Sequence, residues 1–279
     1  MRHRRSVPWT LTLACEPEEG IAAWASVRNV PERLCESGIV TENYFDEGVA
    51  ARYDEAIGSW GDPKVIESAV DFLATLAGGG AALELGIGTG RIALPLSARG
   101  VLVHGIDLSE AMVARLRAKP GGPEIPVTIG DFARTRVEGT FSLAYVVFNT
   151  IMNLRTQEAQ VACFENAASH LERHGLFVVE IMLPQLQRLP RGETFLPFAV
   201  SAAHLGFDEY DVVQQGLTSH HYYPGEGEYE TFPGRYAWPS ELDLMARLAG
   251  MTLRERWSSW RREPFTAVSD MHVSVWEKR

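Results

Sequence analysis

The stretch from residue 81 to residue 98 constrains this chain more than any other. AALELG is a short apolar run, GIGTGR sets glycines at 86, 88 and 90, and the residues after it follow a helical pattern. A strand that breaks into a glycine turn and opens a helix leaves unpaired backbone N–H groups facing whatever binds there. Three acids accompany the turn. Glu84 stands two positions before the first glycine, Asp107 closes the next apolar run (101–106), and Asp131 follows the third (126–130) within Gly130-Asp131-Phe132.

Apolar runs and helical stretches alternate on both sides of that turn. Strands are expected at 81–86, 101–106, 126–130, 141–148 and 175–182, and helices at 62–77, 89–98, 109–118 and 156–172. The helix over 62–77 has Asp62 as N-cap, Pro63 at its first position and Gly78 at its end. Strands spaced by helices of this length imply βαβ units and a parallel sheet, with right-handed crossovers leaving few topologies open. After Pro184 the rhythm changes. Residues 207–236 read as two or three strands joined by turns at Pro224-Gly225 and Gly227, without helices between them. A helix at 239–249 and two strands at 252–260 and 269–277 close the chain. The expected fold is therefore α/β: a seven-stranded, mostly parallel, doubly wound sheet with an antiparallel C-terminal strand and an antiparallel β insert (204–237) as a lid. Residues 1–39 lack this rhythm and are set apart as an N-terminal extension, with an amphipathic helix within 20–37; the main domain is 40–279.

The glycine turn and its acids suit one ligand in particular. A helix N-terminus welcomes the carboxylate of an amino acid, an acid at Glu84 welcomes its ammonium, and Asp107 can accept from both hydroxyls of a ribose. Asp131 can accept from an adenine amino group while Phe132 supplies an apolar wall. A nicotinamide or flavin dinucleotide fits less well, because its G-x-G-x-x-G fingerprint needs glycine where Arg91 stands. The runs ELGIGTGR, GIDLSEAM, GDF and FNTIMNL, in that order, resemble the class I S-adenosylmethionine-dependent methyltransferases of small-molecule metabolism, over about residues 40–279. The resemblance implies that Glu84, Gly86, Gly88 and Gly90 surround the amino-acid part of S-adenosylmethionine. It puts Asp107 and Leu108 at the ribose and adenine, Asp131 and Phe132 at the adenine edge, and Phe148 and Asn149 on the methionine side. Tyr53 would cap the cofactor from an N-terminal helix, with Tyr44 as the weaker match.

Methyl transfer from a sulfonium needs alignment and exclusion of water, and a base only where the acceptor arrives protonated. The acceptor pocket is expected beyond the carboxyl ends of the fourth and fifth strands, under the insert. Asn153, Met182, Tyr223, Arg235 and Tyr236 are the candidate substrate contacts there. His220-His221-Tyr222-Tyr223 is expected to be a strand, on which neighbours face opposite ways, so only one of His220 and His221 can face the pocket as a base. Arg235 could meet a phosphate or carboxylate, or pair with an acid of the insert. No metal site is expected: His170 and His174 stand four apart without a third ligand, and complementing a helix terminus accounts for them better. Arg254, Arg256, Arg261 and Arg262, interleaved with Trp257 and Trp260, read as a solvated face with stacked arginines.

Composition narrows the partners. A net charge of −10 disfavours a general nucleic-acid binder, which needs clustered Lys and Arg. Three cysteines (Cys15, Cys35, Cys163) form no C-x-x-C pair and suit a reducing compartment. Residues 1–15 loosely mimic an export signal, but Pro8 and Thr12 interrupt its short apolar stretch, so the expectation is cytoplasmic. The expected partner is a small-molecule acceptor, without nucleic acid or membrane; the oligomeric state stays open, a homodimer being one option. Two alternatives stand beside an N- or O-methyltransferase of small molecules: a non-catalytic S-adenosylmethionine-binding protein, and a methyltransferase acting on a protein or nucleic acid.

Overall fold

The computed structural model describes residues 43–56, 61–225 and 227–279. The N-terminal extension, the helix expected within 20–37, and Cys15 and Cys35 lie outside the described residues. Two helices come first, α1 (Glu47–Ala56) and α2 (Pro63–Ala77). The Asp62 side chain caps α2 by accepting from the Lys64 amide, and Gly78 ends it in the left-handed conformation.

The main sheet contains β1 (Ala82–Leu85), β2 (Val103–Asp107), β3 (Val127–Ile129), β4 (Phe141–Val146) and β5 (Leu171–Met182), with β10 (Met251–Trp257) and β11 (Met271–Lys278) from the chain's end. Their order is β10-β11-β5-β4-β1-β2-β3; β11 runs antiparallel to both its neighbours, and the remaining pairs are parallel. The linking helices are α3 (Ala93–Ala98), α4 (Glu110–Arg117) and α5 (Gln157–His170), and α6 (Pro239–Leu248) precedes β10. The central strands are apolar on both faces, as a sheet covered by helices requires: β1 is buried throughout and β4 nearly so. Crossovers leave β1 toward β2 on one side and β4 on the other. That reversal opens a crevice at the strands' carboxyl ends, where ligands of such sheets bind.

A second sheet, antiparallel, holds β6 (Phe195–Val200), β7 (Leu205–Asp211), β8 (Gly216–Tyr223) and β9 (Glu228–Arg235) in sequential order. The sequence reading put two or three strands here, over 207–236; there are four, beginning at 195. The strand it lacks contains Pro197, which argues against a strand unless the strand lies at an edge, and β6 is an edge. Other boundaries moved for equally local reasons. The helix expected from 89 starts at Ala93, because the chain first unwinds through left-handed Gly88 and Gly90. The strand expected to reach 148 stops at Val146, because Phe148 and Asn149 both take positive φ (63° and 59°).

One face of the second sheet is covered and the other open. Tyr210, Leu217 and Gly234 lie opposite one another in register. Tyr210 and Leu217 belong to the main hydrophobic core with Met152 and Leu154. On the same face, Glu228 and Glu230 of β9 form ion pairs with Arg52 of α1. The opposite face carries Tyr229 and Tyr222, both exposed.

Candidate active site

The crevice at the ends of β1 and β2 holds two adjoining recesses, one of about 650 Å³ and one of about 310 Å³. Tyr53, Gly86, Gly88 and Thr150 line both, so the glycine turn is their common floor. The turn must be glycine for two reasons at Gly86. Its φ is +79°, and a Cβ there would sit 2.5 Å from Cγ2 of Thr150, closer than atoms pack.

The larger recess is lined by Asp107, Leu108, Asp131 and Phe132, with Asn153 and Leu154 at its far side. Asp107 accepts from the Gly88 amide (2.7 Å) and the Ser109 amide (2.8 Å). Burial raises its pKa, and these N–H groups, with that of Leu108, pull the other way. Ser109 in turn caps α4 at the Met112 amide and donates its hydroxyl to the Phe45 carbonyl, fixing the segment that precedes α1. Asp131 accepts from the Ala133 amide (2.9 Å), a local turn that aims its side chain back at the recess.

The smaller recess holds Glu84, Arg91, Val147 and Phe148. Glu84 is only 3% exposed at the end of β1. Burial pushes its carboxyl up to about 8, against the hydrogen bond from the Tyr145 hydroxyl (3.0 Å) and the charge of Arg91. The Arg91 guanidinium lies 3.4 Å from the centre of the Phe148 ring. Burial lowers its pKa, and Tyr53, Glu180, Glu84 and Asp54 act to keep its charge. Glu180 was not picked out from the sequence. It accepts from the Phe148 amide (2.8 Å) and from the Trp260 indole (2.8 Å), and so holds the left-handed corner at 148–149 in place. Its one signal was an acid standing inside the apolar run GLFVVEIM.

Helix α1 lies against the glycine turn. Asp54 accepts from the Thr89 hydroxyl (2.6 Å) and pairs with Lys119 (2.6 Å), whose ammonium also donates to the Thr89 carbonyl (2.9 Å). This clamp brings Tyr53 to the seam of the two recesses, where burial raises its pKa. Neither Asp54 nor Lys119 stood out in the sequence, since their meeting depends on α1 approaching the turn that follows α4, far away in the chain.

Residues expected at the site do not all reach it. Asn149 turns its side-chain oxygen to the Met182 amide (2.7 Å), bracing β5, and lines neither recess. Met182 and Tyr236 pack with the core. Arg235 is a correction to the substrate-contact reading. It is 5% exposed and donates to Gln160 (2.7 Å), Gln215 (3.1 Å) and Glu241 (2.6 Å), locking β9 to α5 and α6. The other reading offered for it, an ion pair, holds, but the acid comes from α6. His170 is a second correction. It is buried, accepts from the Val137 amide (3.0 Å) and has its pKa lowered by that burial, so it is not a cation at a helix end. The arginine face differs in part, since Trp260 is buried and Arg256 is paired with Asp243, while Arg262 stacks on Phe72.

The two histidines separate as strand alternation demands. His220 lies on the face of Phe207 and Tyr229, with its Nε2 3.1 Å from Glu209. His221 lies on the covered face with Ser219 and Leu217.

Comparison with known proteins gives the family. A methyltransferase domain family matches residues 82–175. The solved structure of the CcbJ methyltransferase from Streptomyces caelestis is 38% identical, with TM-score 0.75, over 86% of this chain and 99% of that one. The chain belongs to the class I S-adenosylmethionine-dependent methyltransferases. The cypemycin N-terminal methyltransferase of a Streptomyces species is 27% identical over 203 residues, 71% of this chain and 82% of its own. The fold is shared by CalS10, an amino pentose methyltransferase from Micromonospora echinaspora solved with S-adenosylmethionine (19% identity, TM-score 0.64, 85% and 99% covered). For this methyltransferase the donor set on either side of Gly86 suits S-adenosylmethionine at both ends, with acids for the hydroxyls and amines; the N–H groups that the turn was expected to leave unpaired are taken up at Gly86 and Ile87 by the Ile106 carbonyl, at Gly88 by Asp107 and at Gly90 by the Ile87 carbonyl.

Proposed function

We propose that this methyltransferase transfers a methyl group to an amine nitrogen of a small-molecule acceptor by in-line displacement. The observation that carries the reading is the pair of recesses joined at Gly86, Gly88, Tyr53 and Thr150, with the buried Glu84 in one and the half-buried Asp107 and Asp131 in the other. Asp107, Leu108, Asp131 and Phe132 would hold the adenosyl half of the donor. Glu84, Arg91 and Phe148 would hold the amino-acid half, with Tyr53 over the junction. The bound donor supplies an already activated methyl group, so these residues need only hold it, exclude water and orient the acceptor. Nitrogen is favoured as acceptor because two of the similar proteins are named for N-terminal and amino pentose methylation. The acidic covered face of the second sheet suits a cation as well. No helix among the described residues is long and apolar enough to cross a membrane, and we read the protein as a cytoplasmic enzyme.

The test is transfer of labelled methyl from S-adenosylmethionine to amino sugars and to peptides with a free N-terminus, set beside hydroxyl analogues. Labelled product from the amines and none from the hydroxyl compounds is expected. Label on oxygen alone rejects the nitrogen reading, and tight donor binding with no transfer to either set favours a binding protein.

Glu84 gives donor binding a definite pH dependence. Its carboxyl is raised to about 8 and is mostly protonated at neutral pH, while an ammonium beside it requires the carboxylate. Donor binding below that pH should therefore release up to one proton, and affinity should rise about tenfold per pH unit as pH approaches 8. Above it the donor's own α-amino group, with a pKa of about 7.7–8.0, loses its charge and affinity falls. Calorimetry in buffers of different ionisation enthalpy reads the proton release. Glu84→Gln should abolish the rise on the acidic side; an unchanged profile would remove Glu84 from the ammonium.

A further inference from the structure

The donor's sulfur joins its adenosyl and amino-acid halves. With one half in the larger recess and the other in the smaller, the reacting methyl lies where the two recesses meet. Tyr53, Gly86, Gly88 and Thr150 line both. The glycines have no side chain, so among the described residues Tyr53 and Thr150 alone bring side chains to that junction. Cγ2 of Thr150 packs over Gly86. The hydroxyl is the other branch at Cβ, and it hydrogen-bonds to no described residue. The donor leaves it unused as well, since a sulfonium has no N–H or O–H to offer.

Thr150 opens a short 3-10 turn, Thr150–Asn153. Such a helix has about three residues per turn, so the side chains at 150 and 153 stand on one side of it, about 6 Å apart along the axis. Both residues line the larger recess, and the Asn153 amide, like the Thr150 hydroxyl, hydrogen-bonds to no described residue. Ile151 and Met152 between them are buried in the core. The turn is held from three sides. Glu180 and Asn149 fix the left-handed corner before it, through the Phe148 and Met182 amides. Gln160 donates to the Ile151 carbonyl (3.4 Å), and Gly234 of β9 lies against Met152, whose carbonyl a Cβ there would meet at 3.1 Å. Two polar side chains on so firm a support, lining a cavity without protein partners, make a preformed site for a ligand's polar groups.

We propose that Thr150 and Asn153 clamp the acceptor: the Thr150 hydroxyl accepts one N–H of the amine beside the methyl, and the Asn153 amide binds a hydroxyl carried near that amine. The proposal rests on the amine reading above and narrows it to amino alcohols, the class that includes amino sugars. A carboxamide both donates and accepts, as a hydroxyl partner does in return. An N–H held by the Thr150 oxygen leaves the nitrogen's lone pair free and fixes its direction toward the methyl carbon. The acceptor enters as the free amine. Its lone pair forms the new N–C bond while the C–S bond breaks and leaves its electron pair on sulfur. The methylated nitrogen then carries one proton too many, which passes to water. Thr150 takes no proton; it orients the nucleophile, and Asn153 selects what stands next to it.

Thr150→Val keeps the branched shape and the contact with Gly86 but removes the hydroxyl, whereas Thr150→Ser keeps the hydroxyl. For an amino sugar with a hydroxyl next to its amine, kcat/KM should fall about tenfold in Thr150→Val, the effect of one lost hydrogen bond, and stay within about threefold of the parent in Thr150→Ser. Calorimetry should find S-adenosylmethionine affinity within about twofold of the parent in both. The same sugar should bind the enzyme loaded with demethylated donor about tenfold more weakly in Thr150→Val. Asn153→Leu should cut about tenfold the preference for that sugar over its deoxy analogue without the adjacent hydroxyl. Parent-like turnover in Thr150→Val, an equal loss in Thr150→Ser, or donor affinity that falls in step with turnover overturns the role of Thr150. An unchanged preference in Asn153→Leu overturns the clamp, as does transfer to peptide N-termini but to no amino sugar. Each of these leaves amine methylation standing; a parent enzyme that methylates no amine overturns both.

Discussion

Asp107→Ala should weaken S-adenosylmethionine binding by about 3 kcal/mol, roughly 150-fold. Two losses combine. The carboxylate proposed to accept the ribose hydroxyls is removed, and the Gly88 amide loses the acceptor that sets the turn. Because Asp107 is half-buried and already held by the Gly88, Ser109 and Leu108 N–H groups, it is oriented before the ligand arrives, which makes its hydrogen bonds costly to lose. Calorimetry with S-adenosylmethionine and with its demethylated product measures the effect, and a thermal melt of the ligand-free variant separates it from a folding defect. Asp107→Asn should lie between the two, since it keeps one acceptor oxygen. Unchanged affinity in the alanine variant would mean that the ribose binds elsewhere.

Arg235→Met should lower stability by about 3 kcal/mol, the lower end of the range for breaking a buried ion pair. In a chain of this size that corresponds to a melting point lower by roughly 6–12 °C. The reason lies in what is left behind. Glu241, Gln160 and Gln215 all point at the missing guanidinium, and none has water to replace it fully. Glu241 shows the dependence directly: burial would raise its pKa, yet hydrogen bonds from Arg235, Gln215 and Gln157 bring it below the ordinary value. Pairing Arg235→Met with Glu241→Leu should recover much of the loss, since it removes the stranded charge. An arginine that instead gripped the acceptor would raise KM and leave the melting point alone, so the melting curve decides between the two roles.

Short-range patterns were legible in the sequence because their causes are short-range. The glycine turn, its preceding strand and its acids are set by backbone conformation within a few residues, and each of Glu84, Asp107, Asp131 and Phe132 lines the recesses. The cap at Asp62 and the stop at Gly78 are equally local. Where the reading fell short, the cause was an interaction between distant segments. Pro197 hid a strand that is tolerated because, among the described residues, it lies at the edge of its sheet. Arg235 looked like a ligand contact until Gln160 and Glu241, from two other helices, were seen around it.

The sequence alone therefore determined the fold class and the glycine turn, because both follow from hydrophobic period and from the conformational freedom of glycine. It also established that His220 and His221 must face opposite ways. Only the tertiary structure decided which of them faces inward, since that depends on which side of the second sheet packs against Met152 and Arg52. Burial likewise comes from the fold, and it is burial that turns an ordinary glutamate at 84 into one that ionises near 8.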